Sequence, residues 1–247
     1  MNNIIIEQLQ QLRLTGIADM LKQQRIQPNT YEELAFEERL ALLVEHEVTR
    51  RENNKIKRLR KLAKLRLNAT PEELSYAEQR GLKKTQLAEL FHSRYLQRHQ
   101  NVIITGATGG GKTYVACALS EQACRHGFPT RYWRLSRLVE CLHIARADGS
   151  YTKQLNQLAK QQLLVIDDWG LEKLNTKQAT DLLEVIEERH GRSSTIICSQ
   201  LPVDQWHGMI ANGTVADALL DRLIHSAHRI TLKGNSMRQS QVLENQT

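Results

Sequence analysis

The sequence predicts an α/β protein: a mostly parallel, five-stranded sheet with helices between its strands, preceded by a small all-helical domain. Three observations carry this. From residue 101 onward, five short apolar runs alternate with helical stretches, the pattern of parallel strands joined by crossover helices. Residues 1–90 instead repeat their apolar residues at helical spacing. Between the two regions, residues 101–113 read NVIITGATGGGKT, an apolar strand that runs into a glycine-rich loop and then a helix.

Each element has its own signal. Leu9, Leu12, Ile17, Met20 and Leu21 mark a first amphipathic segment, closed before Pro28. Phe36, Leu40, Leu43 and Val44 begin a second, which leads into a strongly basic helix. At Asn68–Glu73 another helix is expected, with Thr70 as cap and Pro71 in its first turn. Gly81 is a break, and Thr85 to His99 is predicted as a further helix. The predicted strands are Val102–Thr105, Thr130–Trp133, Leu163–Asp167, Thr195–Ser199 and His228–Thr231. Helices fill the gaps, most plainly from Thr176 to His190, stopped by Gly191. The expected domains are a helical one over residues 1–70 and an α/β one over 71–238, with 239–247 as a polar tail.

The loop names a ligand. GATGGGKT fits the pattern G-x-x-x-x-G-K-[ST]. Gly106, Gly109, Gly110 and Gly111, with Ala107 and Thr108 between them, can turn successive backbone N–H groups inward, because glycine has no Cβ to forbid the dihedrals. Those amides and the following helix N-terminus make an anion site suited to a di- or triphosphate. Lys112 would reach the β- and γ-phosphates, and the Thr113 hydroxyl would ligate Mg²⁺.

The run Leu163–Ile166 ends in two acids, Asp167 and Asp168. Asp167 would hold the water shell of Mg²⁺, and Asp168, one step further, would orient or deprotonate the attacking water. The next strand ends at Ser199 and Gln200. In a parallel sheet this edge faces the ligand crevice, so either could read the γ-phosphate.

Composition narrows the class. The chain has 247 residues, 40% hydrophobic and 25% charged, enough for one nucleotide-binding domain and a smaller module. No apolar run approaches the roughly 18 residues that span a membrane, and a cytoplasmic protein is expected. Cys117, Cys124, Cys141 and Cys198 lack metal-site spacing and read as small core residues. The net charge of +7 is concentrated. Arg50, Arg51, Lys55, Lys57, Arg58, Arg60, Lys61, Lys64 and Arg66 face the single acid Glu52 within one stretch. A solvated helix face is the usual explanation of such a run. Here compensating acids are missing inside the run, which favours contact with nucleic acid phosphates. Arg137, Arg146, Lys153 and Lys160 offer a second basic set.

Further segments carry a resemblance. Leu220-Asp221-Arg222-Leu223, before the last strand, and Gly234-Asn235-Ser236-Met237-Arg238, after it, resemble the arginine-finger and sensor-2 segments of AAA+ ATPases. With Asp167-Asp168-Trp169-Gly170-Leu171, Ser199-Gln200-Leu201-Pro202-Val203 and Trp206-His207, the chain resembles the IstB-like transposition helper ATPases, relatives of the DnaC helicase loaders. Leu12–Ile17, Phe36–Leu43 and Ala63-Lys64-Leu65 agree, so the likeness covers nearly the whole chain. It implies an AAA+ fold and an ATPase that uses ATP and Mg²⁺. It also implies a homo-oligomer on double-stranded DNA that works with a cognate transposase. By the same likeness Arg222 reaches a neighbouring subunit's ATP, Arg238 is a second arginine near the γ-phosphate, and Gln200 takes the sensor-1 position. A DnaC-like replicative helicase loader is the nearest alternative. A small-molecule P-loop kinase is more distant, since no acceptor pocket or lid is evident.

Overall fold

The computed structural model describes residues 2–74, 76 and 81–233. By contacts the chain divides into two compact units, one up to Arg58 and one from Leu59 onward. The division falls inside a helix and ahead of residue 70, because Leu59 and Ala63 pack with Cys124 of the second unit.

The first unit is helical: α1 (Asn2–Gln11), α2 (Thr15–Ile26), α3 (Pro28–Tyr31) and most of α4 (Phe36–Ala63). The first amphipathic segment is two helices, not one. Arg13 turns left-handed at φ +59°, and Leu14 N–H bonds back to the Leu9 carbonyl at 2.8 Å. The start of α2 has no side-chain cap of its own. Glu47 of α4 supplies one, accepting from Gly16 N (2.6 Å) and Ile17 N (3.3 Å). A Cβ on Gly16 would stand 2.8 Å from the Glu47 Cα, so the two helices can approach this closely only at glycine. In α4, Glu37 and Glu38 sit in the first turn and Arg60 and Lys61 in the last, each suited to its end of the helix dipole.

In the second unit the Thr70-Pro71 signal yields only a single 3₁₀ turn, Pro71–Glu73, without a side-chain cap bond from Thr70. The helix expected over Thr85–His99 is likewise two, α5 (Lys84–Phe91) and α6 (Arg94–Gln97), parted by Ser93 at φ +59°. The α/β part then follows the predicted order: β1 (Val102–Gly106), α7 (Lys112–Arg125), β2 (Thr130–Arg134), α8 (Leu135–Ala147), α9 (Tyr151–Ala159), β3 (Leu163–Trp169), α10 (Thr176–Arg189), β4 (Ser194–Ser199), α11 (Gly213–Ile224) and β5 (His228–Leu232). Asn175 and Gln178 form a reciprocal capping box at the start of α10.

The five strands are parallel in the order β2-β3-β4-β1-β5. Alternate residues feed two cores. Val102, Ile104, Leu163, Val165, Ile196 and Cys198 face α5, α6 and α7. Ile103, Leu164, Ile166 and Ile197 face α8, α10 and α11. The strands are thus covered on both sides, which is why they read as continuous apolar runs. Cys117, Cys124 and Cys198 are buried, and all four cysteines are free.

Candidate active site

The glycine loop leaves β1, which lies between β4 and β5, and closes on α7. Gly106 has φ +148° and lies against β5, where a Cβ would meet the Leu232 carbonyl at 2.5 Å. Gly111 has φ +89° immediately before Lys112 opens α7, so the turn and the helix N-terminus share one glycine hinge. The Lys112 ammonium is buried and donates to the carbonyls of Gly106 and Ala107, both at 2.8 Å. Burial pushes its pKa below the usual value, while Asp167 and Asp168 pull the other way. A buried cation with only carbonyls as bonded partners gains strongly from an arriving phosphate.

Thr113, the next residue, donates from Oγ1 to Asp167 Oδ2 at 2.8 Å. The predicted metal pair is therefore in contact. Both donors are hard oxygens, the chemistry that suits Mg²⁺ held by one carboxylate, a hydroxyl and substrate phosphates. Among the described residues, no group of three or more His, Cys, Asp or Glu gathers elsewhere as a metal site.

Strand β3 runs two residues beyond its predicted end and contains a bulge. Ile166 pairs with Ile197 and Trp169 with Ser199, so Asp167 and Asp168 together oppose one residue of β4. Neighbours in a regular strand point to opposite faces. Here Asp168 adopts φ +63°, and its carboxylate turns to the same side as that of Asp167. Asp167 is 1% exposed and Asp168 half-buried. Asp167 Oδ1 accepts from Asp168 N–H at 2.8 Å, and Oδ2 also accepts from Tyr132 OH at 2.6 Å.

At the end of β4 the two candidates separate. The Ser199 hydroxyl is fully buried, donating to the Trp169 carbonyl (2.9 Å) and accepting from Leu201 N–H (3.0 Å). Trp206, tilted against Trp169 with ring centroids 5.2 Å apart, donates to the Leu201 carbonyl at 3.1 Å and pins the turn. Gln200 is left facing the phosphate loop, where its Oε1 accepts from Thr108 Oγ1 at 2.6 Å.

Arg222 is far from this cluster. It lies in the last turn of α11, bonded to Glu187 and to the Ala218 carbonyl, both at 2.8 Å. Its own carbonyl accepts from Asn101, which precedes β1. Arg222 and the phosphate loop therefore sit at opposite ends of β1, roughly 15 Å apart at about 3.3 Å per residue. Arg238 lies outside the described residues.

The basic run does not stay together. Arg50 pairs with Asp19, Arg51 with Glu47 at 2.7 Å, and Arg60 with Glu121 through Nε at 3.0 Å. Acids from outside the run thus compensate cations that the sequence leaves unmatched. Arg66 is not on the helix at all. Helix α4 ends at Ala63, Lys64 takes φ +51°, and the chain carries Arg66 to 3.7 Å from Asp168 Oδ2 and 4.0 Å from Asp167 Oδ2. Lys55, Lys57, Arg58, Lys61 and Lys64 remain exposed, without an ion pair among the described residues. In the second basic set, Arg137 pairs with Glu140, while Arg146 lies 3.7 Å over the Tyr151 ring and bonds Asp181 and Glu184.

Sequence reading missed Tyr132, Arg134 and the true place of Arg66. Arg134, whose Nε is 3.5 Å from Asp168 Oδ2, lies opposite Asp167 in the β2–β3 register. Only that register could have signalled it.

A parallel sheet in this strand order, with a glycine phosphate loop on the interior strand β1 and a paired-acid bulge two strands away on β3, defines an ATPase of the AAA+ class. Solved structures share the fold. The DnaC helicase loader matches with a TM-score of 0.53 at 20% identity, over 60% of this chain and 87% of that one. AMPPCP-bound DnaA from Aquifex aeolicus matches with a TM-score of 0.60 at 16% identity, over 74% of this chain and 55% of that one. The chain belongs to the family of IstB-like ATP binding proteins, whose match covers residues 7–245. Among its relatives is a Sinorhizobium fredii protein, y4pL, named as an insertion sequence ATP-binding protein. It is 44% identical over 236 residues, covering 96% of both chains. A Pseudomonas fluorescens protein named for insertion sequence IS1162 is 45% identical over 198 residues, 80% of this chain and 85% of that one. No described helix is long and apolar enough to cross a membrane.

Proposed function

We propose that this ATPase is a helper of DNA transposition. It assembles with copies of itself on double-stranded DNA in the presence of ATP and Mg²⁺, and cooperates in the cytoplasm with the transposase of the same mobile element. The transposition context rests on family membership across residues 7–245 and on relatives named for insertion sequences. The hydrolytic reading rests on one observation above all: Thr113, Asp167 and Asp168 converge beside Lys112 at the start of one helix.

In this reading the backbone of Gly106–Thr113 and the Lys112 ammonium hold the β- and γ-phosphates. Thr113 and Asp167 would hold Mg²⁺, which would supply charge neutralisation at the phosphate oxygens. Asp168 orients the attacking water, and Gln200 contacts the γ-phosphate side of the loop. Arg222 serves the ATP of a neighbouring subunit. What supports that role is its distance from the phosphate loop of its own chain, which a guanidinium side chain cannot span. The helical domain expected over residues 1–70 supplies subunit, DNA and transposase contacts, although its stretch from Leu59 belongs to the compact unit of the ATPase domain expected over 71–238. Exposed Lys55, Lys57, Arg58, Lys61 and Lys64 supply phosphate contacts to DNA.

Two substitutions test the site. Lys112→Ala should lose ATP binding and turnover together. Asp168→Asn should bind ATP as the parent does and hydrolyse it about 10²–10⁴-fold more slowly, the usual span for a lost general base. Equal loss of binding in both would remove Asp168 from the chemistry.

A further inference from the structure

The Asp167 carboxylate has more company than a phosphate-loop ATPase needs. Besides Thr113 and the Asp168 amide, it takes a 2.6 Å hydrogen bond from the hydroxyl of Tyr132, a buried residue on the neighbouring strand β2. The guanidinium of Arg66 stands between the two acids, 4.0 Å from Asp167 and 3.7 Å from Asp168. Tyr132 and Arg66 thus bring strand β2 and the segment just after α4 to the acids at the centre of the ATP site. Nothing in the phosphate-loop motif calls for either residue.

We propose that Tyr132 and Arg66 are positioning residues for ATP hydrolysis, which together fix the directions of the Asp167 and Asp168 carboxylates. The geometry explains why both are needed. When the Thr113 hydroxyl turns to a metal ion, Asp167 Oδ2 loses one of its two hydroxyl donors, and Tyr132 keeps that oxygen in place. Asp168 sits on a bulge at φ +63° with a partly exposed side chain, so the direction of its carboxylate depends on the charges it meets. Arg66 and Arg134, 3.7 and 3.5 Å from its Oδ2, set that direction by charge. Outer partners of this kind, hydrogen-bonded to a ligating group, commonly change metal affinity or activity about 10–100-fold when removed.

The inference rests on the proposed role of Asp167 toward Mg²⁺, and its test separates the two. Binding of a fluorescent ATP analogue is measured in the full chain with and without Mg²⁺, alongside steady-state hydrolysis, for Tyr132→Phe, Arg66→Ala, Arg66→Lys and Asp167→Asn. Tyr132→Phe should keep Mg²⁺-free nucleotide binding within about twofold and weaken the Mg²⁺-dependent gain about tenfold. Arg66→Ala should lower kcat about tenfold with KM little changed, and Arg66→Lys should recover much of it, because the contacts are single and charge-based. The unchanged Mg²⁺-free binding reports that each variant is folded. Parent-like Mg²⁺ dependence and kcat in both Tyr132→Phe and Arg66→Ala, with Asp167→Asn impaired, would overturn the positioning role alone. A rise in kcat for Arg66→Ala would overturn it too, making Arg66 a restraint. A silent Asp167→Asn would instead remove the Mg²⁺ role itself.

Discussion

The basic run offers a prediction that the structure makes sharper than the sequence could. Of nine cations, Arg50, Arg51, Arg60 and Arg66 hold carboxylates, while Lys55, Lys57, Arg58, Lys61 and Lys64 are exposed and unpaired among the described residues. Only unpaired cations can release DNA counterions without first giving up a partner. The perturbation is the triple change Lys57→Gln, Arg58→Gln, Lys61→Gln, compared with Arg60→Gln alone. On duplex DNA each lost phosphate contact should reduce the slope of log affinity against log salt by about 0.9, so the triple change should reduce it by about 2.7. Arg60→Gln should leave the slope near its parental value, since that guanidinium is held by Glu121. Fluorescence anisotropy on one labelled duplex, titrated at four or five salt concentrations, reads both slopes. ATP binding serves as the folding control. An unchanged slope in the folded triple variant would return these cations to a solvated face. A slope lowered equally by Arg60→Gln would refute the division into paired and free cations.

Two further outcomes test the framework. Arg189 is 1% exposed, its guanidinium bonded to the carbonyls of Leu158 (2.7 Å), Gln161 (2.6 Å) and Ser194, and burial pushes its pKa down to about 9. Arg189→Leu leaves those carbonyls unsatisfied and should destabilise the chain by about 3 kcal/mol in urea unfolding; a loss within about 0.5 kcal/mol would mean that water replaces the side chain. Burial disfavours charge on Glu47, yet Arg51 and the Gly16 and Ile17 amides outweigh it and hold the carboxyl below its usual value of 4.5. Its contribution is therefore present at neutral pH and lost as pH falls through the lowered folded value, so Glu47→Gln should destabilise at pH 7 and converge on the parent in acid. A gap that persists in acid would contradict this.

The strands and the phosphate loop were legible because their signals are local. Ile103, Ile104, Leu164 and Val165 belong to short apolar runs, and a loop of four glycines before Lys-Thr has few other uses. Helix breaks at non-glycine residues were not legible. Arg13, Lys64 and Ser93 all take positive φ, which their side chains do not announce. The break at Lys64 matters most, because it takes Arg66 out of the basic helix and brings it to the acids of β3. Thr70-Pro71 carried a proper start signal, but the residues after it form only a 3₁₀ turn. Tyr132 needed the pairing of β2 with β3, a contact between segments about thirty residues apart. Arg189 was readable after all. It continues the buried positions Leu182, Val185 and Ile186 at helical spacing, an arginine where an apolar residue belongs.

The central claim is that ATP is hydrolysed between subunits, with pocket and finger from different copies. Arg222→Ala should bind ATP nearly as the parent does and lose roughly 10³–10⁵ in rate, with or without DNA. Lys112→Ala should fail with a dead pocket and an intact finger. In an equal mixture about a quarter of the interfaces would join a sound pocket to a sound finger, so the duplex-stimulated ATPase rate should rise well above that of either variant alone. No recovery in a mixture shown to co-assemble would contradict the account and leave Arg222 to Glu187 and its own helix.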